Sequence, residues 1–260
     1  MTKRDTSAHH CISFSGGRTS AMMTIEMLKD EAYKDAIVIF SNTGKENEET
    51  LQFVHAVDQH IGGRVVWLEF DPVTKFRLVT FETASRDGKP FENLITKRKF
   101  LPNKVARFCT QELKIRPMKQ YLQSIGWTHW TNHVGIRYDE PRRHAKMQDA
   151  LRKDVFDVNH PLFDWKVTKA DVLRYWRNMP FDLQLPDHYG NCDLCFLKGM
   201  KKKQAIARQN PEKFDWWIRM EKKVGSTFMS EMSYTAVRDF VSRSPEFSFD
   251  DSIECFCNAD

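Results

Sequence analysis

A short loop near the start of this chain combines the residue types that bind phosphate. Residues 15–20 read SGGRTS and follow directly on the apolar run CISF at residues 11–14. Adjacent glycines let backbone N–H groups approach an anion closely, and hydroxyls at a helix start add donors where the helix dipole favours negative charge. The GxxxxGK[ST] spacing of a Walker A loop is absent. The pattern therefore predicts a pyrophosphate-binding loop; the alternative is a glycine turn that only lets a strand and a helix pack closely.

Cysteines form the second group of residues that could do chemistry. Cys192 and Cys195 have the Cys-x-x-Cys spacing that lets two thiolates hold one metal centre. Cys109 lies far upstream, and Cys255 and Cys257 stand near the end of the sequence. We expect a reducing compartment, in which clustered cysteines more often bind metal or do redox chemistry than form disulfides. Spacing alone leaves zinc and an iron–sulfur cluster open.

Alternating strands and helices must position these two groups. Apolar runs at 11–14, 36–40 and 64–70 predict buried strands, and apolar spacing predicts one helix after the glycine loop and another over 48–61. Strand–helix alternation of this kind indicates βαβ units and a parallel sheet. We therefore predict an α/β fold: a Rossmann-like, mostly parallel sheet with helices on both faces.

The second half of the sequence is predicted to complete the sheet and then to become helical. Runs at 129–136 and 155–162 indicate two further strands. At Thr168, the pattern T-x-x-D resembles a capping box that opens a helix. We predict a nucleotide-binding domain over residues 1–164 and a mainly helical C-terminal region over residues 165–260 that carries the CxxC and CxC motifs.

Composition bounds the class of protein. Hydrophobic residues make up 41% and charged residues 29%, which is ordinary for a globular domain and argues against wholesale disorder. No apolar run approaches the length of a membrane-spanning helix, which needs about 18 apolar residues. Residues 1–10 lack the apolar core of a signal peptide, so we expect a cytoplasmic protein without a membrane partner. The net charge of +5 is compatible with a phosphorylated or sulfated ligand, or with nucleic acid.

Basic clusters offer a more local anion signal. They lie at residues 97–99, at Lys114, Arg116 and Lys119, at Lys146 and, directly after the Cys-x-x-Cys motif, at Lys198 and residues 201–203. Such clusters could attract a sulfonucleotide or a nucleic-acid backbone. The alternative is an ordinary solvated helix face.

Four motifs in order resemble one known family. They are SFSGGRTSA at the glycine loop, SNTGKENEETL over 41–51, CTQELKIRP over 109–117 and GIRYDEPRR over 135–143. Together they resemble the phosphoadenosine phosphosulfate (PAPS) reductase family, a branch of the adenine-nucleotide α-hydrolase or PP-loop superfamily. The resemblance is to small reductase-like members often encoded by phages and mobile elements.

The resemblance implies an adenine nucleotide, ATP or PAPS, bound at the carboxyl ends of the strands. The glycine loop would hold the phosphates or the sulfate-bearing end, and residues 42–44 would approach the adenosine. Arg137, the arginine with a candidate catalytic role, would clamp an oxyanion together with Arg142 or Arg143, because guanidinium groups match phosphate and sulfate oxygens. A solvated surface is the alternative for the latter two. The residues assigned to nucleotide binding are Ser15, Gly16, Gly17, Arg18, Thr19, Ser20, Asn42, Thr43, Gly44, Gly135, Arg137 and Arg143.

The resemblance also implies a role for the cysteines. Reductases of this kind that carry an iron–sulfur cluster have a Cys-Cys pair near the position of Cys109 and a later Cys-x-x-Cys. Phe108 stands in place of the first cysteine of that pair, so one ligand is missing. The resemblance favours a 4Fe-4S cluster, with zinc as the alternative, and a cluster with three protein ligands is a further option. The predicted metal ligands are Cys109, Cys192, Cys195 and Cys257 (or Cys255).

Cys255 has a second interpretation. PAPS reductases end in a reactive cysteine within an E-C-G-L-H motif, which attacks the sulfonyl sulfur. Glu254-Cys255 keeps only the first two letters of that motif. Cys255 is therefore a candidate nucleophile, and a ligand or a resolving thiol is an equal alternative.

Three functions follow from the resemblance. In the reductase form, the chain binds an adenylyl sulfate and a thiol takes the sulfonyl group, with a thiol reductant protein as partner. In the ATP form, the chain adenylylates a nucleic acid for thiolation or phosphorothioation and releases pyrophosphate. The third function is a nucleotide- or cluster-binding regulatory module without turnover. The oligomeric state stays open.

Overall fold

A six-stranded sheet forms the centre of the protein. The computed structural model describes residues 9–150, 155–186, 189–190 and 192–243. The strand order is β4-β3-β2-β1-β5-β6, and every neighbouring pair is parallel except β3 with β4. The strands are β1 His10–Ser13, β2 Ile37–Asn42, β3 Val65–Asp71, β4 Lys75–Val79, β5 Trp130–Val134 and β6 Phe156–Asn159.

Helices cover the sheet and extend the chain beyond it. Within the described residues they are α1 Arg18–Met27, α2 Glu48–His60, α3 Lys89–Arg98, α4 Phe108–Thr110, α5 Arg116–Ser124, α6 Pro141–Ala150, α7 Pro161–Asp164, α8 Lys169–Arg177, α9 Met200–Gln209, α10 Phe214–Val224 and α11 Tyr234–Arg243. A π-helical turn over Gln111–Ile115 joins α4 to α5 without a break. None of these described helices is both long and apolar enough to cross a membrane.

Apolar side chains bury both faces of the sheet. On one face, α1, α2 and α8 pack over Ile12 and Val38. On the other face, Met118 and Leu122 of α5 pack over Cys11, which is fully buried. A third cluster gathers α3 and the helices α9, α10 and α11 around buried aromatic rings. The α/β architecture with helices on both faces is as predicted, and a mainly helical region follows the sheet.

The parallel pairing of the strands brings the segments that follow β1, β2 and β5 to the same side of the sheet. Cys11 of β1 pairs with Ile37 of β2 and with Asn132 of β5. Because these strands are parallel and in register, their carboxyl ends meet at the same edge. The segments that follow β1, β2 and β5 therefore lie side by side there, as expected for ligand binding in an open α/β sheet.

Two strands differ from the sequence-based expectation. The run 155–162 is divided, because β6 ends at Asn159 and Pro161 begins α7; a proline has no N–H to donate to a strand neighbour. Strand β4 was not predicted, since its side chains are mostly exposed and it lies at the sheet edge. The capping box at Thr168 is present and opens α8. The boundary near residue 164 stays a prediction, and α8 packs against α1.

Candidate functional site

The glycine loop between β1 and α1 is built for close backbone approach. Gly16 has φ +83°, in the left-handed region that favours glycine. A Cβ atom at Gly16 would come within 2.8 Å of Thr50 Cγ2 on α2, so a larger residue would displace the loop. Gly17 is the N-cap of α1, and no side chain caps this helix start. The arrangement suits an anion at the helix N-terminus.

Two serine hydroxyls brace the loop from within. Ser15 N donates to Ser20 Oγ at 3.1 Å, and the two serine hydroxyls lie 2.9 Å apart. Ser20 Oγ also donates to Gly17 O at 3.1 Å. These bonds fix the shape of the turn before any ligand arrives, so Ser20 serves loop geometry as well as any contact with an anion.

Arg18 has a partner on the chain itself. Its guanidinium makes a two-bonded pair with Asp182, at 2.7 and 3.0 Å, and donates to Leu183 O at 2.6 Å. The side chain thus fastens the start of α1 to the segment after α8. The backbone of Arg18 lies at the start of α1, and its role in nucleotide binding stays a prediction.

Arg137 reaches the loop from the end of β5. Its Nη1 donates to Thr19 Oγ1 at 3.3 Å, and its Nε donates to Asp139 Oδ1 at 3.0 Å. The residue is buried. Gly135 permits this approach, because a Cβ there would lie 3.1 Å from Ser20 Cα. A buried guanidinium beside the phosphate loop is suited to hold an oxyanion.

Arg142 and Arg143 differ from Arg137 in their surroundings. Both are exposed in the first turn of α6. Arg143 Nη1 pairs with Glu140 Oε1 at 2.9 Å. Of the arginines predicted to clamp an oxyanion, Arg137 is the one that contacts the glycine loop within the described residues.

Asn42, Thr43 and Gly44 form a rigid turn after β2. The Asn42 amide nitrogen donates to Glu69 Oε1 at 2.6 Å and to Ser85 O at 2.9 Å, and its oxygen accepts from Gly44 N at 3.0 Å. Gly44 has φ +78°, and a Cβ there would lie 2.9 Å from Pro90 Cδ. The Asn42 side chain is therefore used within the protein, and it shapes the turn that was predicted to approach the adenosine.

The same turn leads directly to the cysteines. Thr43 Oγ1 lies 3.9 Å from Cys192 Sγ, and Glu46 forms an antiparallel β-bridge with Cys192. The thiols of Cys109 and Cys195 are close enough to interact electrostatically. Three cysteines from distant parts of the sequence therefore gather near the carboxyl end of β2.

The charge environment of these thiols includes Lys114, which the sequence analysis placed only in a basic cluster, and Glu46, which it missed. Lys114 Nζ lies 3.7 Å from Glu46 Oε1, whose side chain is buried. Burial acts to lower the pKa of Lys114, but the nearby Glu46 and cysteines outweigh it, so its pKa is raised. Burial raises the pKa of the Cys109 and Cys192 thiols. Both residues stand inside the quoted motifs CTQELKIRP and SNTGKENEETL, which was the available signal for a role beside the cysteines.

The fit to a metal is partial within the part of the chain that the structure describes. No three His, Cys, Asp or Glu side chains there converge tightly enough to hold a single ion. The two tail cysteines, Cys255 and Cys257, lie outside the described residues. The predictions of a fourth ligand and of a nucleophile in the tail therefore stay predictions.

Buried charges position the loop that carries Cys192 and Cys195. Lys45 Nζ pairs with Asp193 Oδ2 at 2.8 Å, and both side chains are buried. Trp217 Nε1 donates to Asp193 Oδ1 at 2.9 Å. The loop is thereby fastened to the turn after β2 on one side and to α10 on the other.

Two lysines and a tyrosine bind the carbonyl groups of the same loop. Lys198 Nζ donates to Cys192 O at 2.7 Å, Lys203 Nζ donates to Phe196 O at 3.1 Å, and the Tyr234 hydroxyl donates to Leu194 O. Lys198 and Lys203 are buried. The interpretation of this lysine cluster as a solvated helix face is therefore wrong for these two residues, because loop carbonyls need internal donors.

Comparison with known proteins assigns the chain to a family. Residues 9–184 match the phosphoadenosine phosphosulfate reductase domain. The chain belongs to the PAPS reductase family. This match covers the glycine loop, the turn after β2, Cys109 and Arg137, and it ends before the Cys192–Cys195 loop.

Individual relatives agree with the family. An uncharacterized nin region protein of Escherichia phage lambda is 34% identical over 202 residues, which cover 74% of this chain and 67% of that protein. Adenosine 5'-phosphosulfate reductase 2 of Bacillus subtilis is 27% identical over 170 residues, 63% of each protein. An uncharacterized protein of Methanocaldococcus jannaschii is 24% identical over 213 residues, and the match spans only 40% of its length.

Proposed function

We propose that this PAPS reductase family member is an enzyme that holds an adenine sulfonucleotide on the 15–20 loop and carries out reductive or sulfur-transfer chemistry at the cysteines. One observation carries the proposal. Thr43 Oγ1, at the carboxyl end of β2, lies 3.9 Å from Cys192 Sγ, and the glycine loop leaves the neighbouring strand at the same edge. The loop proposed to bind an anion and the group of thiols therefore lie at the carboxyl ends of neighbouring strands.

The nucleotide would be held by backbone and guanidinium groups. The uncapped N-terminus of α1 offers N–H donors to phosphate or sulfate oxygens. Arg137, already bonded to Thr19, would add a charged donor from β5. The turn after β2 would face the adenosine. This assignment uses the sequence-predicted residues except Arg143, which is exposed and pairs with Glu140, and keeps the Arg18 side chain as a structural support.

The cysteines suit a cationic centre. Removing a thiolate from water is unfavourable unless a positive charge compensates it, and burial raises the pKa of Cys109 and Cys192. A bound iron–sulfur cluster would supply electrons or an iron that binds sulfur. Cys109, Cys192 and Cys195 would hold it, with Cys257 or Cys255 as the fourth ligand. Zinc is the alternative centre.

In the proposed reductase reaction, a thiolate attacks the sulfonyl sulfur of the bound nucleotide. A sulfur–sulfur bond forms, the sulfur–oxygen bond to the phosphate breaks, and the adenine nucleotide leaves with that oxygen. A thiolate of a dithiol reductant protein then attacks the cysteine sulfur of this adduct, so that a mixed disulfide forms and the sulfur–sulfur bond to the sulfo group breaks with release of sulfite. The second thiol of the reductant resolves the mixed disulfide and returns the enzyme's cysteine to its thiol form. Arg137 would stabilise the charge on the departing phosphate oxygen. Cys255 is our candidate for the attacking thiolate.

An anaerobic assay that offers PAPS, adenosine phosphosulfate and ATP separately, with a dithiol reductant, tests the proposal. We expect sulfite from a sulfonucleotide and no pyrophosphate from ATP. Pyrophosphate alone would establish the ATP form, and no product from any nucleotide would establish a binding module.

Paired variants localise the reaction. Arg137→Lys keeps a charge but loses the planar donor set, so we expect kcat/KM to fall about tenfold to a hundredfold, the equivalent of about 1.5–3 kcal/mol. Arg143→Lys is the matched control, because Arg143 is exposed and pairs with Glu140; its kcat/KM should change less than about twofold. Equal losses in both variants would contradict the role of Arg137.

Iron and sulfide analysis of anaerobically purified protein tests the metal assignment. We expect a brown protein that loses its colour in Cys192→Ser. Cys11→Ala is the control, since this cysteine is fully buried under α5, away from the proposed centre. A colourless protein loaded with zinc would overturn the iron–sulfur assignment.

A further inference from the structure

Positive charge is concentrated in one short stretch of this chain. Between residues 97 and 119, eight lysines and arginines stand against a single glutamate, so this stretch carries +7 while the whole chain carries +5. The glutamate, Glu112, is buried and already bonded to Arg98 and Arg116. The stretch contains no further carboxylate, and the acidic partners of Lys104 and Lys114, Glu231 and Glu46, come from other parts of the chain.

This basic stretch adjoins the cysteine site. Arg107 and Lys114 act electrostatically on the Cys109 thiol. A second basic run, residues 198–208, has five lysines and arginines and no acidic residue, and it begins three residues after Cys195. Lys99, Lys104, Arg107 and Lys201 are exposed. Five exposed cations of the two segments are together called the basic rim: Lys97, Lys99, Lys104, Arg107 and Lys201.

Cations of the rim contact two separate parts of the fold. Lys97 Nζ reaches Pro72 O, next to β4, while Lys104 Nζ pairs with Glu231, between α10 and α11. The nucleotides proposed above carry one to three phosphate groups, and we have assigned these to the 15–20 loop. Cations spread between these two places match an extended polyanion better than a second small anion.

Apolar side chains lie between these cations. Phe100 is 45% exposed, and its ring centre lies 6.2 Å from that of Phe108, the residue before Cys109. Val105 is 96% exposed. An exposed aromatic ring among lysines and arginines is the combination on which unpaired bases stack while phosphates are neutralised.

We propose that the basic rim binds single-stranded nucleic acid and brings it past the cysteine site. The occupant is chosen by charge complementarity together with the exposed Phe100 ring, since an acidic protein would make no use of a base-stacking surface. This inference goes beyond the proposed function, because it concerns binding and holds whether or not the nucleotide site turns over.

Fluorescence anisotropy with labelled oligonucleotides of about 20 nucleotides tests the proposal. The probes are single-stranded DNA, single-stranded RNA and a DNA duplex, titrated with the full chain between about 50 and 200 mM salt. We expect single strands to bind more tightly than the duplex, and log affinity to fall linearly with log salt. The DNA and RNA arms identify which nucleic acid the rim prefers.

Two triple variants locate the binding surface. Lys97→Gln, Lys99→Asn and Arg107→Gln together should weaken single-strand binding by about tenfold or more and flatten the salt slope by about 0.7 for each lost phosphate contact. The control combines Lys29→Gln, Lys34→Gln and Lys166→Asn, which remove the same charge elsewhere; Lys99 and Lys166 both have positive φ, so asparagine is matched at both. The control should change affinity less than about threefold. Circular dichroism and thermal midpoints verify the fold of both.

Phe100→Ala separates recognition from simple charge attraction. We expect it to weaken single-strand binding about fivefold or more and to leave duplex binding within about twofold. Equal binding by the rim and control variants would overturn the proposal. It would also be overturned if a polyglutamate peptide of matched length displaced the oligonucleotide as well as unlabelled oligonucleotide does, because the rim would then fit an acidic protein.

Discussion

The glycine loop and the Cys192–Cys195 loop adjoin one edge of the same sheet, yet they are held in different ways. The glycine loop is shaped by its own backbone, through the positive φ of Gly16 and the bonds among Ser15, Gly17 and Ser20. The cysteine loop is held by side chains from the turn after β2 and from α9, α10 and α11. The conformation of the glycine loop thus depends mainly on residues adjacent in sequence. The conformation of the cysteine loop depends on residues from distant parts of the chain.

Because the two loops are held in different ways, substitutions should destabilise them by different amounts. A change at the glycine loop disturbs its own turn and the side chains packed against it. A change at one support of the cysteine loop leaves a buried charge or carbonyl group without a partner, and this carries a larger free-energy cost. Disturbing each site in turn should therefore give effects of different size.

Asp193→Asn should have the largest effect on stability. The asparagine keeps an oxygen that can accept from Trp217 Nε1, so the change removes mainly the charge that compensates buried Lys45. Breaking a buried ion pair by removing one partner costs about 3–5 kcal/mol. Urea unfolding should show a loss near the lower end of that range, about 3 kcal/mol.

Two further variants sharpen this test. Lys45→Met combined with Asp193→Asn removes both charges, so we expect it to recover most of the lost stability. Lys104→Gln breaks the exposed pair with Glu231 and should cost no more than about 1 kcal/mol. A loss in Asp193→Asn as small as that of Lys104→Gln would show that the buried pair does not hold the loop.

Gly16→Ala should have the next largest effect. An alanine at φ +83° incurs the left-handed penalty of about 1–2 kcal/mol, and its Cβ would stand 2.8 Å from Thr50 Cγ2. We expect a total loss of about 2–3 kcal/mol of stability and a marked loss of nucleotide affinity, both measured on the same preparation.

Gly62→Ala is the matched control for the glycine loop. Gly62 has φ +81°, but no atom lies within 4 Å of the position its Cβ would take. It should therefore show the backbone penalty alone, about 1 kcal/mol, with unchanged nucleotide affinity. Equal effects at both positions would mean that the packing against α2 does not shape the phosphate loop.

Features that depend on adjacent residues could be predicted from the sequence, whereas features that depend on distant residues could be predicted only in part. The strands β1, β2 and β3 and the glycine loop are encoded in runs of adjacent residues, and their predictions agree with the structure in type and position. Strand β4 was not predicted, because a short exposed edge strand has no apolar run of its own. Strand β6 is shorter than predicted because Pro161 begins α7, and the apolar pattern of residues 155–162 gives no sign of this.

The cysteine side could be predicted only in outline. Spacing grouped Cys192 with Cys195 and the resemblance added Cys109, which the structure brings close to Cys195. The supports Lys198 and Lys203 could not be recognised, because a lysine that donates to a loop carbonyl has the same sequence signature as a lysine in solvent. Burial of charged groups depends on the tertiary fold and not on neighbours in sequence.

Arg18→Gln should have the smallest effect, and it tests whether the glycine loop is as self-contained as the comparison implies. Arg18 fastens the loop to Asp182 through a partly exposed pair, so its loss should cost about 1 kcal/mol of stability. If the side chain is only a support, nucleotide affinity should stay within about twofold, the equivalent of about 0.4 kcal/mol. Asp182→Asn should cost a similar amount, and the double variant should show coupling between the two residues in a mutant cycle. A tenfold loss of affinity in Arg18→Gln without the same loss in Asp182→Asn would instead make Arg18 a nucleotide contact, and the phosphate site would then depend on a long-range side chain just as the cysteine site does.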